Sequence, residues 1–413
     1  MTNEVLQKIA SDEQNISSSN GLEPSLRFGH FVGNWEKSKL SSLFKKCLEK
    51  NKNGLVDNVI CNSAKNGLMP QRDFFDKDIA NTENTNGYYI IQENDFVYNP
   101  RKSNEAPYGP ISMYKYKDKG IVSPLYLCFR ATKEIHPRYF EMYFKSSVWH
   151  KYIYFAGDSG ARYDRVSIKD DVFFEMPINI PSLPEQQKIA DFLSLVDRRI
   201  EKQRQLVENL KKYKRGLLSA IFDNKLIGEN WKKYKLSSIL KERSTYSEKD
   251  GSYEHVTLSR DGIIPKTERY DRDFLVSSEN KKYKITKMGD ICYNPANMKF
   301  GVICLNTYGN AIFSPIYITF EIKSDFDKPF VGLYMTRNDF INRSLKFQQG
   351  TVYERMAVSP EDLLSMDIEL PNLEAQKRIS NIFTILDKKI VRENNIFNEL
   401  QKMKRALLQQ MFI

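Results

Sequence analysis

The sequence predicts an α+β protein made by tandem duplication: a β-rich globular unit followed by a long helix, then the same pair again, with the two helices joined as an antiparallel coiled coil. Three observations predict it. First, Ile180–Phe222 and Leu370–Phe412 align without a gap at an offset of 190 residues, with identities at Pro181/Pro371, Gln186/Gln376, Asp197/Asp387, Lys214/Lys404, Arg215/Arg405 and Phe222/Phe412. Chance alignment of two amphipathic helices matches leucine with leucine, but not proline, glutamine, aspartate and arginine as well. Second, shorter motifs recur in the same order ahead of each helix: Asn34-Trp35 with Asn230-Trp231, Tyr98-Asn99-Pro100 with Tyr293-Asn294-Pro295, Ser123-Pro124-Leu125-Tyr126 with Ser314-Pro315-Ile316-Tyr317, and Gly160–Arg165 with Gly350–Arg355. Third, each helix carries a 3,4-spaced apolar seam.

In chain order, residues 1–30 form a polar, Ser-rich segment with no apolar stretch of signal-peptide type. Residues 31–181 form the first globular unit. Gly87–Ile91, Asp95–Tyr98 and Leu125–Phe129 are short apolar and aromatic runs bounded by Gly, Asn, Asp and Pro, and read as strands. Arg138–Lys145 reads as an amphipathic helix. Residues 182–224 are the first long helix, with Pro184 in the first turn, where its missing N–H is harmless. Its seam is Ile189, Leu193, Val196, Ile200, Val207, Leu210 and Leu217, interrupted by Gln203 and Lys214. Residues 225–371 repeat the globular unit, with a strand at Ile316–Phe320 and a helix at Val331–Arg343. Residues 372–413 repeat the long helix, with seam residues Ile379, Phe383, Leu386, Ile390, Phe397, Leu400 and Leu407 and interruptions at Glu393 and Lys404. At 1.5 Å per residue each helix spans roughly 55–60 Å. A seam of that length needs cover. A second molecule or the preceding globular unit would supply it, but two matched seams in one chain favour intramolecular pairing through effective concentration.

Composition narrows the function. The 413 residues carry 63 Lys+Arg against 52 Asp+Glu, a net charge of +11, with 23 Tyr and 25 Phe. A positive excess suits a polyanionic partner, and a tyrosine-rich composition suits β-rich binding surfaces. Mean hydropathy is −0.54, and no apolar run approaches the ~18 residues of a membrane span. The reading is therefore cytoplasmic, without a membrane partner. Five scattered cysteines with no C-x-x-C pair, and four distant histidines (His30, His136, His150, His255), argue for reduced thiols and no metal site.

The order of motifs resembles the specificity subunit of type I restriction–modification systems, over about Leu26 to Ile413. The residues that carry the resemblance are Leu26-Arg27-Phe28, Trp35-x-x-x-x-Leu40, Ile180-Pro181-x-Leu183-x-Glu185-Gln186-x-x-Ile189 and its copy Leu370-Pro371-x-Leu373-x-x-Gln376-x-x-Ile379, each copy leading into a long helix that ends in Lys-Arg-x-Leu-Leu. The second copy departs from the signature, with Glu374-Ala375-Gln376 where the first has Pro184-Glu185-Gln186. The resemblance implies two target recognition domains joined by two paired helices. It implies double-stranded DNA with a bipartite site as ligand, and DNA adenine methyltransferase subunits, two of them, plus restriction/translocase subunits as partners. It implies that the chain itself is not an enzyme and binds no cofactor, with S-adenosylmethionine, ATP and Mg2+ held by the partner subunits.

The residues agree with a chain that carries no chemistry. There is no G-x-G-x-x-G, no P-loop and no Asn/Asp-Pro-Pro-aromatic turn of an adenine methyltransferase. Ser123–Tyr126 and Ser314–Tyr317 share only part of that turn and read better as strand. Glu321-Ile322-Lys323 is a lone E-x-K without a partner carboxylate and reads as an exposed strand end. Base reading uses Arg, Lys, Asn and Gln on base edges, with cations on phosphates. Two loop pairs offer these. One gives Arg162, Tyr163 and Arg165 with Tyr353 and Arg355. The other gives Asn99, Arg101 and Lys102 with Asn294, Asn297 and Lys299. A structural turn whose arginine meets a carboxylate accounts for the first pair equally well. The run Lys211–Arg215 reads as a solvated helix face or a phosphate contact. Two other functions fit parts of this pattern: a coiled-coil scaffold whose globular ends bind proteins, and a single-chain enzyme acting on nucleic acid.

Overall fold

Each globular unit is organised around a four-stranded antiparallel sheet, and the two sheets match strand for strand. The computed structural model describes residues 23–74, 85–159, 164–223, 231–247, 251–260, 262–266, 282–348 and 356–413. By internal contacts the chain divides into a first unit, Met1–Gln205 with Asn395–Ile413, and a second, Leu206–Asn394.

In the first unit the sheet order is Phe44–Lys46, Leu127–Ala131, Phe96–Tyr98, Ile111–Met113; in the second it is Leu240–Glu242, Ile318–Ile322, Ile291–Tyr293, Ile303–Leu305. Side chains alternate across a strand, so each sheet buries two faces. In the first unit Phe44, Phe96 and Phe129 pack on the helix Pro137–Lys145, with Phe44 5.1 Å from Phe140 and Phe96 5.5 Å from Phe144 between ring centres. Val97 and Cys128, on the other face, join Cys47, Ile60, Ile91 and Val122. In the second unit Tyr293 and Phe320 stack at 6.0 Å on the helix side, and Cys292 lies in the opposite cluster with Val256, Leu258 and Phe313.

The strands that back the second face differ. The second unit has a five-stranded sheet in which Glu254–Ser259 runs parallel to Ala311–Phe313. The first unit has two separate antiparallel pairs, the hairpin Ile60–Ser63 with Gly67–Pro70 and the sequence-distant pair Tyr89–Ile91 with Gly120–Val122, tied by a single parallel bridge from Val59 to Ile121.

A two-stranded ribbon leads into each long helix: Glu36–Lys39 with Pro177–Ile180, and Lys232–Lys235 with Asp367–Leu370. The helices run Leu183–Phe222 and Leu373–Gln410. The repeated glutamine explains part of the signature. Gln186 donates to the Pro181 carbonyl at 3.0 Å and accepts from the His136 N–H at 3.0 Å; Gln376 donates to Pro371 at 2.8 Å and accepts from Asp327 at 3.0 Å. It thereby fixes the start of each long helix to the start of the helix under the sheet.

Both long helices contribute to both units. In the first unit, Ile189 and Leu193 share a core with Leu408, Met411 and Phe412, and the Phe412 ring lies 5.3 Å from Tyr139 and 6.0 Å from Tyr143. In the second, Ile379 and Phe383 share a core with Ile221 and Phe222, and Phe222 lies 5.3 Å from Phe330 and 5.7 Å from Tyr334. The lysines that break the seams meet the repeated aspartates: Lys404 pairs with Asp197 in the first unit, and Lys214 lies 2.5 Å from Asp387 in the second. Rising numbers on one helix thus face falling numbers on the other, the antiparallel pairing. Ile189, Leu193, Val196, Val207, Ile379, Phe383 and Leu386 are buried, while Ile200, Leu210, Leu217, Ile390, Phe397, Leu400 and Leu407 are half-buried. Gln203 is buried as well.

Two local expectations need correction. The helix expected over Val331–Arg343 is two helices, Lys328–Met335 and Asn338–Ser344. Thr336 Oγ1 bonds the Gly332 carbonyl at 2.9 Å, and the backbone turns extended at Arg337, whose guanidinium lies 4.6 Å over Phe222 and pairs with Asp223. The strands expected from Leu125 and Ile316 begin two residues later, at Leu127 and Ile318. Ser123–Tyr126 and Ser314–Tyr317 are reverse turns, closed by Tyr126 N–H to Ser123 O at 3.0 Å and Tyr317 N–H to Ser314 O at 3.1 Å, with proline pre-setting the second position of each.

Candidate nucleic-acid interface

The loop after strand Phe96–Tyr98 and the segment ahead of Val166 meet at one end of the first sheet. Lys102 N–H donates to Asp164 O at 2.8 Å, Val166 N–H donates to Pro100 O at 2.9 Å, and Arg101 bridges to Arg165. The Arg101 guanidinium, largely exposed, lies 3.8 Å from Asp164. The Arg165 side chain is half-buried, its Nε without a hydrogen-bond partner among the described residues. The two loops nominated separately in the first unit are therefore one surface, in which Arg101, Lys102 and Arg165 gather. The second unit repeats the junction: Val358 N–H donates to Pro295 O at 3.2 Å, and Tyr293 Oη donates to Val358 O at 3.1 Å.

The asparagines shape these loops. Asn99 Oδ1 accepts from Arg101 N–H at 3.1 Å, and Asn294 Oδ1 accepts from Ala296 N–H at 3.1 Å, the same Asx turn in both units. Asn99 Nδ2 also reaches the Asn62 carbonyl at 3.0 Å. Asn62 is itself buried, donating to Val97 O at 2.8 Å and accepting from Ser112 Oγ at 2.8 Å. This network anchors the loop in the core, and nothing in the sequence marked Asn62. In the second unit the loop is a 3-10 helix, Pro295–Phe300, with Asn297 half-buried, Lys299 exposed and its ammonium 5.0 Å over the exposed Phe300 ring. Arg162, Tyr163, Tyr353 and Arg355 lie outside the described residues.

Elsewhere the candidate chemistry is dispersed. Glu321 sits 3.3 Å from Arg243 and Lys323 Nζ donates to the Ser237 carbonyl at 3.1 Å, an exposed strand end. Among the described residues no three His, Cys, Asp or Glu side chains cluster as metal ligands, and no helix is long and apolar enough to cross a membrane. The five cysteines are free. On the run Lys211–Arg215, Lys214 is taken by Asp387 and the other four residues are exposed.

The deciding observation is a double match: residues 33–211 and residues 228–402 each match the type I restriction modification DNA specificity domain. The chain belongs to that family. It is a DNA specificity subunit with two target recognition domains, and the motif-by-motif duplication is the duplication of that domain. Its fold is similar to that of the S subunit of the type I restriction–modification system of M. genitalium, at 16% identity and a TM-score of 0.53, covering 95% of this chain and 99% of the other. It is also similar to a chain from a structure describing complex assembly and conformational transition of the type I R-M system (14% identity, TM-score 0.56, covering 92% and 97%). The HsdS subunit of Thermoanaerobacter tengcongensis is a third likeness (15% identity, TM-score 0.50, covering 93% and 98%).

The family signature can now be read physically in the first domain. Arg27 donates to both Glu185 oxygens, Nε at 2.7 Å and Nη2 at 2.8 Å, and Trp35 Nε1 donates to Glu185 at 3.3 Å. Hydrogen bonding to Glu185 raises the Arg27 pKa above its ordinary value. Leu26 N–H donates to Gln410 O at 2.9 Å and Phe28 meets Phe192 edge-on at 5.7 Å. Leu26-Arg27-Phe28, Trp35 and Glu185 are thus one clasp over the ends of both helices.

Proposed function

We propose that each target recognition domain reads one half of a bipartite double-stranded DNA site, and that the chain is a non-catalytic adaptor for DNA adenine methyltransferase subunits, two of them, and through them for restriction/translocase subunits. S-adenosylmethionine, ATP and Mg2+ then belong to those partners. The observation that carries the reading is the loop junction present at the same end of both sheets, Pro100 with Val166 and Pro295 with Val358. In the first domain it gathers Arg101, Lys102 and Arg165, and in the second it presents Asn297 and Lys299. Cations of this kind position a protein on phosphates, and guanidiniums specify bases. For the methyltransferase contact, support comes from the outer helix faces. Leu195 and Ile385 stand at equivalent positions and are 56% and 59% exposed, away from the seam.

The test is reconstitution with cognate methyltransferase subunits, followed by mapping of methylated adenines. Exchange of residues 35–181 for the corresponding domain of another specificity subunit should change one half of the target only. A swap that changes both halves, or neither, defeats the two-reader scheme. Methyl transfer by the purified chain alone defeats the adaptor role. Leu195→Asp with Ile385→Asp should weaken retention of methyltransferase subunits on sizing while leaving the chain folded.

A further inference from the structure

The turns Ser123–Tyr126 and Ser314–Tyr317 place an aliphatic side chain in solvent at the same point of both domains. Leu125 and Ile316 are each 62% exposed. Scattered exposed apolar residues are ordinary. Recurrence at one register in two domains whose loops otherwise diverge is not. Nor is the side chain needed for the turn: proline and the closing N–H to C=O bond build it, and the position they leave open suits most residues.

Register fixes what lies beside it. Tyr98 is paired with Leu127, and Tyr293 with Ile318. Two residues beyond those pairs, Leu125 faces the level of Pro100, and Ile316 that of Pro295. Each turn therefore opens beside the loop that carries Arg101 and Lys102 in one domain and Asn297 and Lys299 in the other. The tyrosine that follows is an anchor. Burial raises the Tyr126 pKa against a hydrogen bond to the Asn62 backbone and the charge of Arg165, and Tyr317 Oη is 3.1 Å from Thr257 Oγ1. The aliphatic tip is thus held beside a ring that is half-buried in the first domain and buried in the second, next to the cation-bearing loop.

We propose that Leu125 and Ile316 are apolar base contacts, one for each half of the DNA site. This rests on the reading of the chain as a DNA specificity subunit. The surroundings favour DNA over a protein partner. A protein-docking patch gathers apolar side chains, whereas Leu125 stands beside a loop of cations and amides, and beside Ile316 the one exposed apolar ring of the loop, Phe300, is itself covered by the Lys299 ammonium at 5.0 Å. Such cations and amides neutralise phosphates and approach base edges. The surface such a group takes is the apolar part of a base. It is either the 5-methyl of thymine in the major groove or the face of a base exposed when a step is unstacked, which a methyltransferase acting on an extruded adenine would require.

The experiment uses the chain assembled with its methyltransferase subunits, as wild type, Leu125→Ser, Ile316→Ser and the conservative Leu125→Met. Both residues are solvent-exposed, so assembly and folding should be unchanged on sizing and by circular dichroism. Each serine variant should bind target DNA roughly tenfold more weakly, the scale of one lost base contact. Its non-specific affinity and salt dependence should be unchanged, and Leu125→Met should match wild type. Uracil in place of thymine at each half-site position should reproduce the loss if a methyl is contacted. Loss of a 2-aminopurine fluorescence increase in the serine variants should reveal an unstacked base instead. Wild-type complex without sequence-selective binding would defeat the specificity-subunit reading itself. Selective wild type with serine variants that bind equally well would overturn only the base contact. So would serine variants that shed methyltransferase subunits, because the turn would then be a protein contact, or binding losses that neither base analogue reports.

Discussion

Asp95 in the first unit and Asp290 in the second occupy the same place, one residue before a central strand. Each accepts a backbone N–H at 2.8 Å, from Gln92 and Lys287, across a turn whose residue ahead of the aspartate has positive φ: Asn94 at 70° and Gly289 at 85°. The arginine that neutralises the carboxylate comes from different strands. Arg130 stands on the neighbour of one, at 2.6 Å, and Arg243 follows the edge strand of the other, at 2.8 Å. Where Arg130 would stand, the second unit has Glu321, 3.3 Å from Arg243. A similar change affects the helix start. The first unit buries Glu185 under Arg27 and Trp35. The second has Ala375 there, and Trp231 Nε1 is buried without a partner among the described residues. At the aspartate the duplicated domains thus keep the buried carboxylate and exchange the arginine that neutralises it, whereas at the helix start the acceptor of the first domain has no counterpart among the described residues of the second.

Making the first unit resemble the second at the clasp should have the largest effect. Glu185→Ala leaves Arg27 and the Trp35 indole N–H without their buried acceptor and should cost about 3–5 kcal/mol, the scale of breaking a buried pair. Hydrogen exchange around Trp35 and Phe192 should speed up while that around Trp231 does not. Next, Asp95→Ala should destabilise its sheet by about 2–3 kcal/mol, less than a fully buried pair because Arg130 is a third exposed. Asp290→Ala should cost about half as much, since Arg243 keeps Glu321. Denaturant melts of both variants decide this, and equal losses would refute the compensating role of Glu321.

A smaller effect depends on pH. Glu141 in the first unit is buried at 2.6 Å from Lys115, 2.7 Å from Lys145 and 2.9 Å from Arg138. Burial pushes its pKa up, but the charge of Lys145 and hydrogen bonds from Lys115 and Lys145 outweigh it and hold the carboxyl at about 2. A folded-state pKa below the ordinary value near 4.5 gives stability present above that value and lost as pH falls toward 2. The second unit has Gly332 at the equivalent helix position, so acid should loosen the first unit first, and Glu141→Gln should flatten that dependence between those limits. The smallest effect concerns the repeated ion pair. Lys404→Ala and Lys214→Ala should each cost about 0.2–1 kcal/mol, equally, and a charge-reversed Asp197→Lys, Lys404→Asp pair should recover part of the loss.

Much of the architecture was legible because its signals were periodic or repeated. The seam Ile189–Leu217 and its copy specify helices, and motif order specifies the duplication. What was illegible depended on chain reversal in space. The Val331–Arg343 pattern is continuous in helical period, and only Phe222, arriving from the first long helix, explains why Arg337 leaves it. Leu125 and Ile316 look like strand residues because a turn with proline at its second position tolerates an aliphatic neighbour. The joining of the Arg101 and Arg165 loops could not be read either, since it depends on Asn62 and the Pro100 carbonyl, neither of which carries a compositional signal. Lys404 and Lys214 read as interruptions of the seam until their aspartates were placed opposite.

The plug made by Leu408, Met411 and Phe412 has a consequence in time as well as space. A chain leaves the ribosome from its first residue onward, at about 5–20 residues per second. The second unit meets its plug, Ile221 and Phe222, before its own sheet exists. The first unit has its sheet early but must wait for all of Leu206–Asn394 to be made before Phe412 can reach Tyr139 and Tyr143, an interval on the order of 10–40 s at those rates. During that interval its aromatic floor is open, and a chaperone that holds apolar surface would find it there. Ribosome-bound chains stalled before Asn395 should expose those tyrosines to chemical labelling, and released full chains should not.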